Sequence, residues 1–94
     1  MDENEAKGLL DAEIGRLRGL RYDQLPDLFQ VQAFQTLGAT GTVYNLELQV
    51  FWDDPRSKMN IRVMASVDDG RWPHFSKPLT ASFIMAPSGS FVGE

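Results

Sequence analysis

Two acidic pairs, Asp53-Asp54 and Asp68-Asp69, the single histidine His74 and the nearby Ser76 are the residues whose types could do chemistry. Paired carboxylates can hold a divalent cation or share a proton, and an aspartate, a histidine and a serine can form a nucleophile relay. The spacing speaks against each. The two acidic pairs end neighbouring antiparallel strands, as derived below, at opposite edges of the sheet. They stand roughly 30 Å apart for strands of about ten residues, so they cannot share an ion. Neither pair has the spaced carboxylates of a calcium loop. Each reads as a turn device, because Asp bonds its own backbone two residues on. His74 sits in a short stretch bounded by Pro73 and Pro78, and no nucleophile elbow surrounds Ser76. The glycines match neither GxGxxG nor GxxxxGK[ST]. The chain has no cysteine, which removes disulfides, thiolate chemistry and Cys-ligated zinc. No catalytic, metal-binding or cofactor-binding residue is expected, and the chain reads as non-enzymatic.

With 94 residues and 43% apolar composition the chain suits one domain spanning 1–94, with residues 1–4 frayed. The net charge of −4 argues against broad nucleic-acid binding, which needs Lys and Arg to displace counterions. Only Arg16, Arg18 and Arg21 crowd one segment. The start, MDENEAKG, has no apolar core of a secretory signal, and no apolar run approaches the ~18–20 residues that span a bilayer. A cytoplasmic protein without a membrane partner is the expectation.

These residues must be positioned by a sheet, and its centre is the stretch 42–52, TVYNLELQVFW. Tyr44, Leu46, Leu48, Val50 and Trp52 alternate with Val43, Asn45, Glu47, Gln49 and Phe51, the period of a half-buried strand. Before it, Ala6, Leu9, Leu10, Ile14, Leu17 and Leu20 keep helical spacing, with Asn4 as the expected cap. Glu13 lies at the edge of that apolar face, where it reaches water or an arginine, or serves as a buried acid. Gly8, Ala12, Gly15 and Gly19 line the opposite side, either as tolerated drift towards a helix end or as a seat for close approach by another element such as a second subunit. Residues 21–26 form a connecting turn, plain or as a short helical one, in which Pro26 pushes Leu25 towards extended geometry. The stretch 28–37, LFQVQAFQTL, fits either strand or helix and is assigned to an edge strand on its alternating glutamines.

Gly38-Ala39-Thr40-Gly41 is a hairpin turn and 53–57 a second turn. Residues 58–68 are the third strand, with Met59, Ile61, Val63, Ala65 and Val67 towards the helix. Asp69-Gly70 turns the chain, 71–78 is a loop, and 79–86 is the last strand. Beyond the turn at 87–90, Phe91 and Val92 fold back. The sum is an α+β chain: an N-terminal helix packed on one face of a four-stranded antiparallel meander, a two-layer sandwich. It resembles in outline the helix-plus-curved-sheet core of cystatin-like folds, a likeness that carries no function.

The face the helix does not cover holds Phe51 and Met64, with Phe34, Val43 and Ile84 beside them. Monomers seldom leave a large apolar patch open. The loop carrying Trp72 and Phe75 folds over it, or a second copy covers it, or it binds a partner or small ligand. The expected interface set is Phe34, Phe51, Met64, Trp72, Phe75 and Ile84, and Trp72 is the expected anchor because aromatic residues dominate interface energetics. The leading expectation is a small interaction or regulatory domain that self-associates as a homodimer through the open sheet face or takes another protein partner. The alternative is a ligand-binding domain with a pocket between helix, curved sheet and the Trp72 loop. Acidic charge and small size also suit an immunity-type or antitoxin-like partner of one specific protein.

Two segments, LRGLRYDQLPDL and VDDGRWPHFSKPLTASFIMAPSGSFVGE, look familiar together. The first resembles a helix–turn pattern common in small bacterial proteins, and the second resembles the C-terminal half of short uncharacterised bacterial proteins of about 95 residues. The resemblance implies a compact, stand-alone bacterial domain and carries over no site residue.

Overall fold

The structure, a computed structural model, describes residues 1–70 and 78–94. A helix, α1 (Glu3–Arg18), leads through a 3-10 helix, η1 (Tyr22–Leu28), into four strands, β1 (Gln32–Leu37), β2 (Val43–Trp52), β3 (Ile61–Asp68) and β4 (Leu79–Met85). The strands pair antiparallel in the order β1-β2-β3-β4, and the helix packs on one face of this open sheet.

α1 starts two residues earlier than its apolar spacing suggests. Asp2, not Asn4, is the cap, accepting from the Glu5 N–H at 3.0 Å. Met1 packs against the core and its amine lies 3.3 Å from the Asp69 carboxylate. Glu3 and Glu5 in the first turn and Arg16 and Arg18 in the last oppose the helix dipole favourably. The helix ends at Gly19, whose N–H donates to the Arg16 carbonyl at 3.2 Å. Nothing lies within 4 Å of where a Cβ would stand at Gly8 or Gly15, so among the described residues no element packs closely against either glycine.

η1 contains Pro26, and Leu25 before it is helical rather than extended. Full burial of the Leu25 side chain holds it there against the usual preference of a residue preceding proline. Gln24 also closes the turn, its Oε1 accepting from the Arg21 N–H at 2.8 Å. Phe29 then meets Trp52 edge-to-face, with centroids 5.0 Å apart, and fixes the chain to the end of β2.

The core lies between sheet and helix. Tyr44, Leu46, Leu48 and Val50 of β2, Ile61, Val63, Ala65 and Val67 of β3, and Phe83 and Met85 of β4 meet Ala6, Leu10 and Leu17 of α1 and Leu25 of η1. Fully burying one such aliphatic side chain stabilises by about 1.5–3 kcal/mol. α1 packs mainly on β3 and β4, and η1 on β2. β1 therefore stands at a thinly covered edge.

Three other expectations are corrected. β1 begins only at Gln32, after η1, so residues 28–31 are not strand. β3 begins at Ile61: Lys58, with φ of 51°, completes the preceding turn, and Met59 is 55% exposed instead of facing the helix. Phe34 lies on the helix side of the sheet, because β1 pairs it with the buried Leu46. At the other edge the tail folds back as expected. Phe91 bridges to Met85, the Val92 N–H donates to the Ile84 carbonyl at 2.9 Å, and the Arg18 guanidinium stacks 3.9 Å above the Phe91 ring while holding Glu94 bidentately. That pair raises the Arg18 pKa and lowers that of Glu94, in both cases chiefly through the hydrogen bonds between them.

Tyr44 is fully buried, and its Oη has no hydrogen bond of good geometry among the described residues. Desolvation, and then the Glu5 carboxylate beside it, push the phenol pKa up, so the group stays neutral. Removing an unsatisfied buried hydroxyl removes its desolvation cost. Tyr44→Phe is expected to leave stability unchanged or raise it by about 1 kcal/mol, read from urea unfolding. A loss of that size would show that the hydroxyl is hydrogen-bonded in solution.

Candidate functional site

One member of each acidic pair is a turn device, and the other is held by an ion pair. Asp54 accepts from the Arg56 N–H at 2.9 Å, and Asp68 accepts from the Gly70 N–H at 2.8 Å. Asp53 is held by Arg62 Nε at 2.8 Å, and Asp69 by the Met1 amine. The register pairs Asn45 with Asp68 and Trp52 with Ile61, which sets the two pairs at opposite ends of β3. Among the described residues no group of three or more Asp, Glu, His or Cys is gathered to hold a metal. Glu13 is largely covered, and Arg16 takes it with Nη2 at 2.6 Å and Nε at 3.3 Å. Its partner is thus an arginine one helical turn away. Among the described residues no helix is long and apolar enough to cross a membrane.

The candidate surface for recognition is the sheet face opposite α1. Strand alternation and register arrange it in rows. At one end Phe51 of β2 and Ile84 of β4 flank Arg62 of β3, with Met64 two residues along β3. Phe51 is 38% exposed, and Met64 and Ile84 are half-buried by their neighbours. Arg62, tethered to Asp53, stands as a guanidinium among three apolar side chains. The next row sets Met64 between Gln49 and Ser82, and the row after it is polar, Glu47 beside Ser66 and Thr80. Asn45 and Asp68 follow, hydrogen-bonded at 3.2 Å, and Val43 and Leu37 close the far end. Glu47, Gln49, Ser66, Asp68, Pro78 and Thr80 border a groove of about 360 Å³ on this face.

Of the residues expected at the interface, Phe51, Met64 and Ile84 come together here. Phe34 does not, since it faces the helix side. Trp72 and Phe75, with His74 and Ser76, lie outside the described residues. Sequence reading missed Arg62 as the centre of the cluster. Its signal was available: in a hairpin closed by residues 53–60, Arg62 falls opposite Phe51.

Side chains fill the centre of the space between helix and sheet; one groove lies on the face away from the helix, and a second lies where α1 meets the helix side of β1 and β2. No family model, no curated protein and no solved structure matches the chain.

Proposed function

We propose that the chain is a small, non-enzymatic interaction domain of the cytoplasm whose open sheet face recognises a protein partner. The observation that carries this reading is the cluster of Phe51, Met64 and Ile84 around Arg62. Aromatic and arginine side chains supply most anchors at protein interfaces, and a polar rim excludes water around them. Here the rim is the row of Gln49, Ser82, Glu47, Ser66 and Thr80. Self-association was the expectation for this face, but two copies meeting on it face to face bring Glu47 and Asp68 of each into one interface. A partner with basic side chains opposite Glu47 and Asp68 suits it better than a second copy does.

The test is the double variant Phe51→Glu with Met64→Glu. Phe51 is exposed and Met64 half-buried on the face away from the core, so the fold is expected to survive, which the unfolding midpoint of the variant checks. A protein retained by the wild-type domain is expected to lose at least about tenfold in affinity for the variant when the purified pair is titrated. Equal binding by both would remove the face from the reading.

The groove supports a second reading, a small-ligand site on the same face. A ligand there raises the melting temperature according to RT ln(1 + [L]/Kd), and no shift across a broad metabolite panel would count against it.

A further inference from the structure

Among the described residues the outer edge of β1 is open, and its chemistry is unlike the rest of the surface. Gly38 N–H donates to the Thr42 carbonyl at 2.8 Å, which makes 38 and 42 a hydrogen-bonded pair of the β1–β2 hairpin. Hydrogen-bonded and non-bonded pairs alternate along an antiparallel ladder. Gln32, Phe34 and Thr36 therefore bond to β2, while Ala33, Gln35 and Leu37 point their N–H and C=O groups away from it. No described residue pairs with that outer row. The other edge of the sheet is partly closed, since Val92 bonds to Ile84.

Proteins blunt exposed edges with lysine, proline, bulges or a covering element. β1, QAFQTL, has none of the first three, and its pairing with β2 runs without interruption. Its side chains are exposed on both faces. Leu37 is 67% exposed on the open face, and Phe34 is 41% exposed on the helix side. Phe34 also lines a groove of about 300 Å³ that Leu9, Ala12, Glu13, Arg16 and Leu46 border. The two charges in that groove already neutralise each other. Between Asp27 and Glu47 the sequence carries no charged residue at all.

We infer that β1 pairs antiparallel with β1 of a second copy across a two-fold axis through Gln35, joining two sheets into one. The charge-free edge decides for a second copy. Each chain carries a net charge of −4, so two copies repel, and the 28–46 stretch is where they meet without opposing like charges. The axis follows from symmetry. A two-fold perpendicular to the sheet keeps each side chain on its own face, so only residues of like parity stand opposite each other. Centring on Gln35 places it against itself and Ala33 against Leu37, which satisfies every outward N–H and C=O of those residues. Phe34 then lies beside the partner copy's Thr36 and diagonally near the partner copy's Phe34, about 7–8 Å away, within aromatic reach. Both copies extend their cores over the thinly covered edge. An interface of this extent falls in the lower size range, that of weak, concentration-dependent association. The edge is separate from the Phe51 cluster, so this pairing stands whether or not that face binds a partner.

The test uses the two-fold itself. Gln35→Lys and Gln35→Glu each place like charges opposite one another and are expected to weaken the dimer at least about tenfold. Mixing the two variants in equal amounts pairs Lys with Glu and restores dimer. Opposed residues of a hydrogen-bonded pair have Cα atoms about 5.5 Å apart, within disulfide reach. Because the chain lacks cysteine, Gln35→Cys is expected to form one cross-linked dimer under mild oxidation, whereas Ser88→Cys in the exposed turn stays monomeric. A wild type that remains monomeric to its solubility limit overturns the inference, including where the edge serves a strand of another protein. So does a dimer that both charged variants retain, or a mixture that fails to recover.

Discussion

Leu17→Ala is expected to cost about 3 kcal/mol of stability. The side chain is fully buried where the last turn of α1 lies on the sheet, and the cavity left behind has rigid walls in β3 and β4. For a domain of this size each kcal/mol moves the midpoint by about 4–8 °C, so thermal unfolding should begin well below the wild-type transition. Total stability of such domains is about 5–15 kcal/mol, which makes this one deletion a large share of the whole. Ile14→Ala on the same helix supplies the comparison. Ile14 is only partly buried and should cost markedly less. Equal losses from the two would mean that α1 is held by its apolar surface in general and not by the Leu17 contact.

Gly38→Ala is expected to be nearly as damaging, by about 1–3 kcal/mol, for a steric reason. A Cβ at this position runs into the Glu5 carboxylate and stands 2.8 Å from Cε2 of the buried Tyr44 ring. Glu5 can swing away, although it then loses the hydrogen bond that Thr40 Oγ1 donates at 2.9 Å. The Tyr44 ring is enclosed and cannot. Glu5→Ala in the same chain should therefore recover only part of the loss, and a double-mutant cycle by urea unfolding reads the split. Full recovery would show that Glu5 alone carries the clash. The glycine is needed here for space: the first turn of α1 and the β1–β2 hairpin meet over it.

Much of this could be read from residue order. The alternation of Tyr44, Leu46, Leu48 and Val50 marks the buried face of β2, and the turns at 38–41 and 53–57 separate consecutive strands that pair as neighbours. The errors gather where burial is weakest. The run LFQVQAFQTL gives no clear inner face, because an edge strand with little cover has no strong reason to alternate apolar and polar residues. Its facing was nonetheless recoverable from the turn. With Gly38 opposite Thr42, Thr36 falls opposite Tyr44 and Phe34 opposite Leu46, so an inward Tyr44 entails an inward Phe34. Leu25 before Pro26 failed for the opposite reason, since its burial overrides the local backbone preference.

The recognition surfaces were legible only in part. Phe51, Met64 and Ile84 could be placed on one face by parity alone, but their grouping around Arg62 depends on strand register. The open β1 edge depends on which of its residues bond to β2, and no count of side-chain types reports that.

Edge and face make separate claims on the same sheet, and solution mass separates them. Light scattering across a concentration series should be run on the wild type, on Gln35→Lys, and on Phe51→Glu with Met64→Glu. The wild type should rise from the 10.6 kDa monomer to twice that mass. The face variant should follow the same curve, and Gln35→Lys should stay monomeric while folded. A wild type that stays at the monomer mass throughout, or a dimer lost in the face variant and kept in Gln35→Lys, contradicts pairing through β1.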